Sequence, residues 1–321
     1  LPTLHRLAKL RKKVLGIDTL YRYDLYVPLA AESRKTYTYD AAVELNLKGL
    51  APLGEEYVSM LKKGFESNWI DVYETEGKSS GGYEWGTYTS HPFVLLNFNG
   101  TMDWVSALSH EMGHALHDHY AYKTQPYVYA DYSLFLAEIA AICNETLFMR
   151  YMIDHADTKE EKIALLNSWI TAIKGTFFTQ VMFSEFEQAI HGHIENGGAF
   201  SVEYFRKTYR DIYQKYWGPD LVIQDVDDIS GMRIGHFYRR YYVYQYATGM
   251  AAAQVMSQRI LGEGEDYLDD YFKFLKAGSS KYPVDVLMDA GVDMTSPETY
   301  EVTIQLFSSL IDELEQLLDE K

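Results

Sequence analysis

Two histidines with a glutamate directly after the first set out the chemistry this chain can do. Residues 108–119 read Leu-Ser-His-Glu-Met-Gly-His-Ala-Leu-His-Asp-His, with His110-Glu111-Met112-Gly113-His114 at the core. Residues four apart share one face of a helix. Both imidazoles can therefore meet one Zn2+ ion, at about 2.0–2.1 Å each. Glu111 stands about 100° further round the helix. It flanks the metal and need not be a ligand, and there it can hold a water and take its proton. A catalytic zinc has three protein ligands and one open position. His117 shares the face of His110 but lies about two turns along, and one straight helix does not easily wrap three ligands round an ion. His119 points elsewhere. A metzincin extension needs Gly at 117 and His at 120, where this chain has His117 and Tyr120.

The alternative third ligand is an acid on a following helix. Glu138 lies among Phe135, Leu136, Ile139, Ala140, Ala141 and Ile142. A carboxylate in such company is costly to bury unless it is paired or metal-bound. Glu145 shares that face and can orient a ligand histidine by accepting a hydrogen bond from it. Further along, His236, Tyr238, Tyr241, Tyr242, Tyr244 and Tyr246 crowd a single short segment. Tyr238, Tyr241 and Tyr242 have helical spacing, so the plain reading is an aromatic core helix. The chemical reading is a set of donors. Phenol and imidazole groups aimed at a developing oxyanion can contribute about 3 kcal/mol each.

The elements around these residues are mostly helical. Helices are expected at Leu4–Leu15, then 38–67 with a break near Pro52–Gly54, and then about 131–154, 158–191, 201–216, 238–259, 264–276, 283–289 and 297–320. Tyr21 to Pro28 reads as extended. Strand composition at 69–73, 83–88 and 92–98, with Gly77 to Gly82 between, reads as a small β-sheet over 69–98, ended by Asn99-Gly100. Thr101 is placed to cap the metal helix. No repeat or low-complexity linker divides the chain, so 1–321 is expected to be a single, mainly α-helical catalytic domain with the sheet next to the metal-binding helix.

Bulk composition narrows the function. The chain has 321 residues and a formal net charge of -17. Such a surface repels phosphate backbones and argues against a nucleic-acid partner. No apolar run approaches the roughly 18 residues that span a membrane, so no membrane partner is expected. No signal peptide is visible, and Cys143 is the only cysteine, which suits a cytoplasmic setting. The first residue is Leu1 rather than Met, which points to processing or to part of a longer protein.

These residues together resemble the thimet oligopeptidase and oligoendopeptidase F superfamily of zinc peptidases, most closely its bacterial oligoendopeptidase F branch. The resemblance runs from Val14-Leu-Gly-Ile-Asp18 to Ala290-Gly-Val-Asp-Met-Thr-Ser-Pro297. It is most specific at Ser109-His-Glu-Met-Gly-His-Ala-Leu-His117, at Glu138 with Glu145, and at Gly235-His-Phe-Tyr-Arg-Arg-Tyr-Tyr-Val-Tyr-Gln-Tyr246. It implies a zincin-type fold and one zinc per chain on His110, His114 and Glu138, with Glu111 as general base. It also implies an oxyanion partner in His236 and neighbouring tyrosines. Aligned on Gln245-Tyr246 these are Tyr242 and Tyr246, the favoured pair; aligned on His236, Tyr241 is selected. A third tyrosine of the thimet pattern falls at Gly249. The run Phe93 to Phe98 matches a strand that pairs with extended substrate, and Gly81-Gly82-Tyr83 matches a glycine-rich loop near the cleft. The expected activity is endopeptidase cleavage of short unstructured peptides. Members of that branch are longer, so the chain reads as a catalytic half whose partner is the missing N-terminal half of the same protein. The rival expectations are a peptide-binding fragment with impaired catalysis, and a zinc carboxypeptidase that would use Arg233, Arg239 or Arg240 for a terminal carboxylate.

Overall fold

A computed structural model describes residues 1–29 and 35–320. In chain order it contains α1 (Pro2–Leu15), β1 (Leu20–Tyr21), α2 (Tyr39–Gly49), α3 (Gly54–Glu66), β2 (Ile70–Asp71), β3 (Tyr83–Trp85) and β4 (Phe93–Leu95). Then follow α4 (Met102–Thr124), α5 (Tyr127–Ala130), α6 (Leu134–Asp154), α7 (Lys159–Ile173), α8 (Thr179–Glu195), α9 (Val202–Trp217) and β5 (Leu221–Val222). The remaining helices are α10 (Tyr244–Glu263), α11 (Glu265–Lys276), α12 (Pro283–Asp289) and α13 (Pro297–Asp319). The chain is mainly α-helical, as its apolar periodicity implied. Among the described residues no helix is long and apolar enough to cross a membrane.

The residues group into two compact units, each made of distant stretches. One comprises Leu1–Ser33, Thr158–Ala247 and Ile304–Lys321; the other comprises Arg34–Asp157 and Thr248–Thr303.

The second unit is built round α4 and α6. Val105, Leu108, Met112 and Leu116 are buried on α4, as are Ser109, Gly113, His117 and Tyr120. A helix buried on so many sides belongs to a core rather than to a surface. Its sheet has the order β2-β4-β3. β2 runs parallel to β4, with Ile70 opposite Val94. β3 runs antiparallel, with Tyr83 opposite Leu95 and Trp85 opposite Phe93. The sheet falls within the expected span, although its regular pairs are short. Thr101 does occupy the N-cap of α4, but its side chain makes no capping bond. The hydroxyl donates to Asn99 Oδ1 at 2.9 Å instead.

The first unit holds α1, α7, α8 and α9. β1 pairs in parallel with β5, Leu20 opposite Leu221, which makes a second small sheet. Past β1, the stretch expected to be extended folds as a 3-10 turn at Arg22–Tyr26. α7 and α8 are one continuous run interrupted by a π turn at Lys174–Phe178, where the Thr179 N–H bonds back to the Lys174 carbonyl. The tyrosine-rich segment departs from the expected helix over 238–259. It forms a 3-10 turn at Gly235–Tyr238 and then a non-helical bend, and α10 begins only at Tyr244. The reason is Tyr241, whose φ of 53 is left-handed and incompatible with a right-handed helix.

Candidate functional site

α4 and α6 cross where neither carries a bulky side chain. A Cβ on Gly113 would stand 2.6 Å from Ala141 Cα and 2.9 Å from the Ala140 carbonyl oxygen. Glycine at this point lets the backbones approach, and Ala140 and Ala141 complete the contact. A buried polar network holds the two helices in register. Asn144 donates to the Ser109 carbonyl at 3.1 Å, and the Tyr57 hydroxyl donates to Asn144 Oδ1 at 2.9 Å. Ser109 and Asn144 immediately precede His110 and Glu145, so the network sits against the site itself.

Across that crossing the side chains of His110, His114 and Glu138 converge as a group that could hold a metal ion. His110 Nε2 and His114 Nε2 are 3.2 Å apart. Glu138 Oε2 lies 3.5 Å from the first and 3.7 Å from the second. On the far side of the His110 ring, Nδ1 lies 3.3 Å from Glu145 Oε2. A carboxylate there accepts the Nδ1 proton and leaves the Nε2 lone pair facing Glu138 and His114. Burial works against a charged His110, but Glu145, Glu111 and Glu138 outweigh it and carry the ring up to about 9. A ring among these carboxylates favours positive charge beside it, whether a proton or a metal ion. His114 is pushed down to about 3, by burial first and then by His110 and His117.

Glu111 is 7 % exposed. Burial, reinforced by Glu138 and Glu145 and opposed by His110, raises its carboxyl to about 7. The loop before β3 lies close over it, since a Cβ on Gly82 would be 3.4 Å from Glu111 Oε1 and 3.5 Å from the Leu95 carbonyl oxygen. Gly249, where the thimet pattern has a tyrosine, leaves the side of Glu138 open; a Cβ there would meet Glu138 Cβ at 3.7 Å.

The neighbouring histidines do other work. His117 is fully buried and stacks on Tyr132 at 3.8 Å, and neither ring nitrogen has a hydrogen-bond partner. His119 packs against Trp69. One feature that the sequence reading passed over is a pair of acids, Glu84 on β3 and Asp118 on α4. Burial, then Asp118 and Glu111, pushes the Glu84 carboxyl upward toward its protonated form. Asp118 accepts from the Tyr132 hydroxyl at 2.6 Å.

Within the first unit, His236, Tyr242 and Tyr246 form their own cluster. The Tyr246 hydroxyl is 3.4 Å from His236 Nε2 and 3.3 Å from the Tyr242 hydroxyl. Tyr242 precedes α10 rather than sharing a helix face with Tyr246, and the bend still brings their rings to 5.5 Å. Tyr241 faces His191 instead. Of the three arginines, Arg240 pairs with Glu195, Arg239 lies over the Tyr242 ring, and Arg233 lines a cavity with Arg22, Tyr23 and Tyr26.

Known proteins share this arrangement of sequence and fold. The family model described as peptidase family M3 matches residues 1–306. Oligopeptidase PepF of Bacillus subtilis is 46% identical over 318 residues, which cover 99% of this chain and 48% of that protein. Group B oligopeptidase PepB of Streptococcus agalactiae is 41% identical over 318 residues, covering 99% and 53% respectively. The crystal structure of oligoendopeptidase-F from Enterococcus faecium matches with a TM-score of 0.78 at 32% identity, over 100% of this chain and 50% of that one. The chain spans about half the length of the curated relatives it matches.

Proposed function

The chain belongs to peptidase family M3, and on that premise we propose that it hydrolyses internal bonds of short unstructured peptides, in a cytoplasmic setting, with one zinc ion held by His110, His114 and Glu138. The observation that carries this reading is the triangle of ligand atoms. Three donors about 2.0–2.1 Å from one tetrahedral zinc stand roughly 3.3–3.4 Å apart. The edges here are 3.2, 3.5 and 3.7 Å. Two imidazoles and a carboxylate are also the donor set that a catalytic zinc takes, with a fourth position left for water or substrate.

When bound, zinc would supply Lewis acidity, acidifying a water and polarising the scissile carbonyl. Glu111 takes the water's proton and passes it to the leaving amine. A carboxyl raised to about 7 suits both halves of that transfer near neutral pH. Glu145 holds His110 in the tautomer that presents Nε2. His236, Tyr242 and Tyr246 are the proposed donors to the carbonyl oxygen as it gains charge. Their mutual contacts support treating them as one group.

The test is Glu111→Gln, assayed on a quenched fluorescent peptide with zinc content measured in parallel. Zinc content should stay at the parent level while turnover falls at least about 100-fold, the usual scale for loss of a general base. Activity above about 1% of the parent with zinc retained would remove Glu111 from that role.

A further inference from the structure

α8 acts as a template for the bend that carries His236 and Tyr242. On one face of α8, Phe183 and Phe186 both pack against Phe237, at ring distances of 5.2 Å each. One residue further along that face, Glu187 is fully buried. It makes no ion pair among the described residues. Its Oε1 accepts a hydrogen bond from the Tyr241 N–H at 3.1 Å. Its Oε2 is buried without a partner of normal geometry. Burial raises the Glu187 carboxyl, while the Tyr241 N–H, His191 and the Val243 N–H draw it back toward the charged form. A carboxylate placed so deep and aimed at a main-chain N–H is costly to bury.

The group it holds explains the placement. Tyr241 and Asn68 are the non-glycine residues with positive φ among the described residues, and for a bulky side chain that conformation is an outlier which persists only when its surroundings enforce it. The turn at Tyr241 sets the direction in which the chain enters Tyr242. The bend is otherwise closed by the Tyr242 N–H bonding to the Arg239 carbonyl at 3.1 Å. The Tyr242 ring then lies 5.4 Å from His236 and 5.5 Å from Tyr246.

We infer that Glu187 is a positioning residue, whose buried carboxylate clamps Tyr241 in a left-handed turn and so sets Tyr242 against His236 and Tyr246. It touches neither substrate nor metal and acts through the main chain. Its value to peptide hydrolysis rests on the reading above, in which those three rings serve the reaction.

The experiment measures two things on the same proteins. One is hydrogen exchange at the amides of 239–243; the other is kcat and KM on a quenched peptide with the zinc-loaded chain. Glu187→Leu should raise exchange at Tyr241 and Tyr242 about tenfold or more. It should also lower kcat by a similar factor with KM little changed, since an ångström of misplacement can cost up to about 100-fold. Adding Tyr241→Gly to Glu187→Leu should recover most of the lost kcat, because glycine adopts the turn without strain, while the amide at 241, still without its acceptor, stays fast to exchange. Glu187→Gln keeps the size and an acceptor, and should leave both measurements within about threefold of the parent. Unchanged exchange at Tyr241 in Glu187→Leu overturns the inference, as does failure of Tyr241→Gly to restore kcat. If Glu187→Leu does not fold, Glu187→Ala takes its place, and unchanged exchange at Tyr241 in that variant overturns the inference. Tyr242→Phe separates the two levels. If it leaves kcat within about twofold, the oxyanion reading fails, while the exchange data still decide the role of Glu187.

Discussion

Gly113→Ala tests whether the α4–α6 contact sets the metal site. The added Cβ would stand 2.6 Å from Ala141 Cα and 2.9 Å from both the Ala140 carbonyl oxygen and the Ala141 nitrogen, where ordinary contact begins near 3.4 Å. All three obstacles are backbone atoms, so no rotamer change relieves them, and the helices must part locally by about 0.8 Å. Glu138 lies within one turn of Ala141 and moves with it. Its separations of 3.5 and 3.7 Å from the two imidazole nitrogens would grow by a comparable amount. Overpacking costs about 1–3 kcal/mol, and replacing a mid-helix glycine by alanine returns about 0.5–1 kcal/mol. Net stability is therefore a blunt readout, and metal affinity is the sharp one. Displacing a metal-site group costs about 10–100-fold in affinity. Competition against a fluorescent zinc chelator should show Kd rising by at least about tenfold in a variant whose far-UV circular dichroism matches the parent. A folded Gly113→Ala protein that binds zinc within about twofold of the parent would refute the reasoning.

Asn144→Leu leaves the Tyr57 hydroxyl buried without its acceptor and the Ser109 carbonyl without its extra donor. Urea unfolding should show a loss of about 1–3 kcal/mol; a change below about 0.5 kcal/mol would mean that the network does not hold the helices in register. His117 gives a pH signature. Burial pushes it from 6.5 down to about 3, so between those values the unfolded chain binds the proton and the folded chain does not. Stability therefore rises with pH through this window and is lost as pH falls below 6.5, by up to about 1.4 kcal/mol per unit. His117→Leu should remove that slope. Relative to the parent, it should gain about 2–3 kcal/mol between pH 6.5 and 4.5 in urea unfolding, and parallel curves for the two proteins would count against a buried neutral imidazole.

The parts of this protein legible in its sequence are those written locally. The spacing of His110 and His114 on one helix face is a consequence of the helical repeat. Glu138 stood out because the residues flanking it are apolar. The strands at 69–98 announced themselves by composition and by the glycine-rich turn between them. What the sequence concealed depends on partners far along the chain. β1 pairs with residues 221–222, and neither strand is long enough to have a pattern of its own. The two units are assembled from separated stretches. The bend at Tyr241 runs against the preference of its own residues for helix. It exists because Glu187, 54 residues earlier, takes its N–H. Gly113 carries no signal of its own between the two histidines, and its role is visible only once α6 lies across it.

The π turn at Lys174–Phe178 can be considered as a phase shift in a screw. A turn that closes on the fifth residue rather than the fourth, as the Thr179 N–H does on Lys174, retards every later position by about 100° relative to an uninterrupted helix. The azimuth at which Phe183, Phe186 and Glu187 leave α8 is therefore set upstream of them, by the length of that turn rather than by their own neighbours. Removing a single residue from 174–178 would rotate the three together, carrying the phenylalanines off Phe237 and the carboxylate off Tyr241. A change in helix timing would thus do at a distance what deleting the Glu187 carboxylate does on the spot.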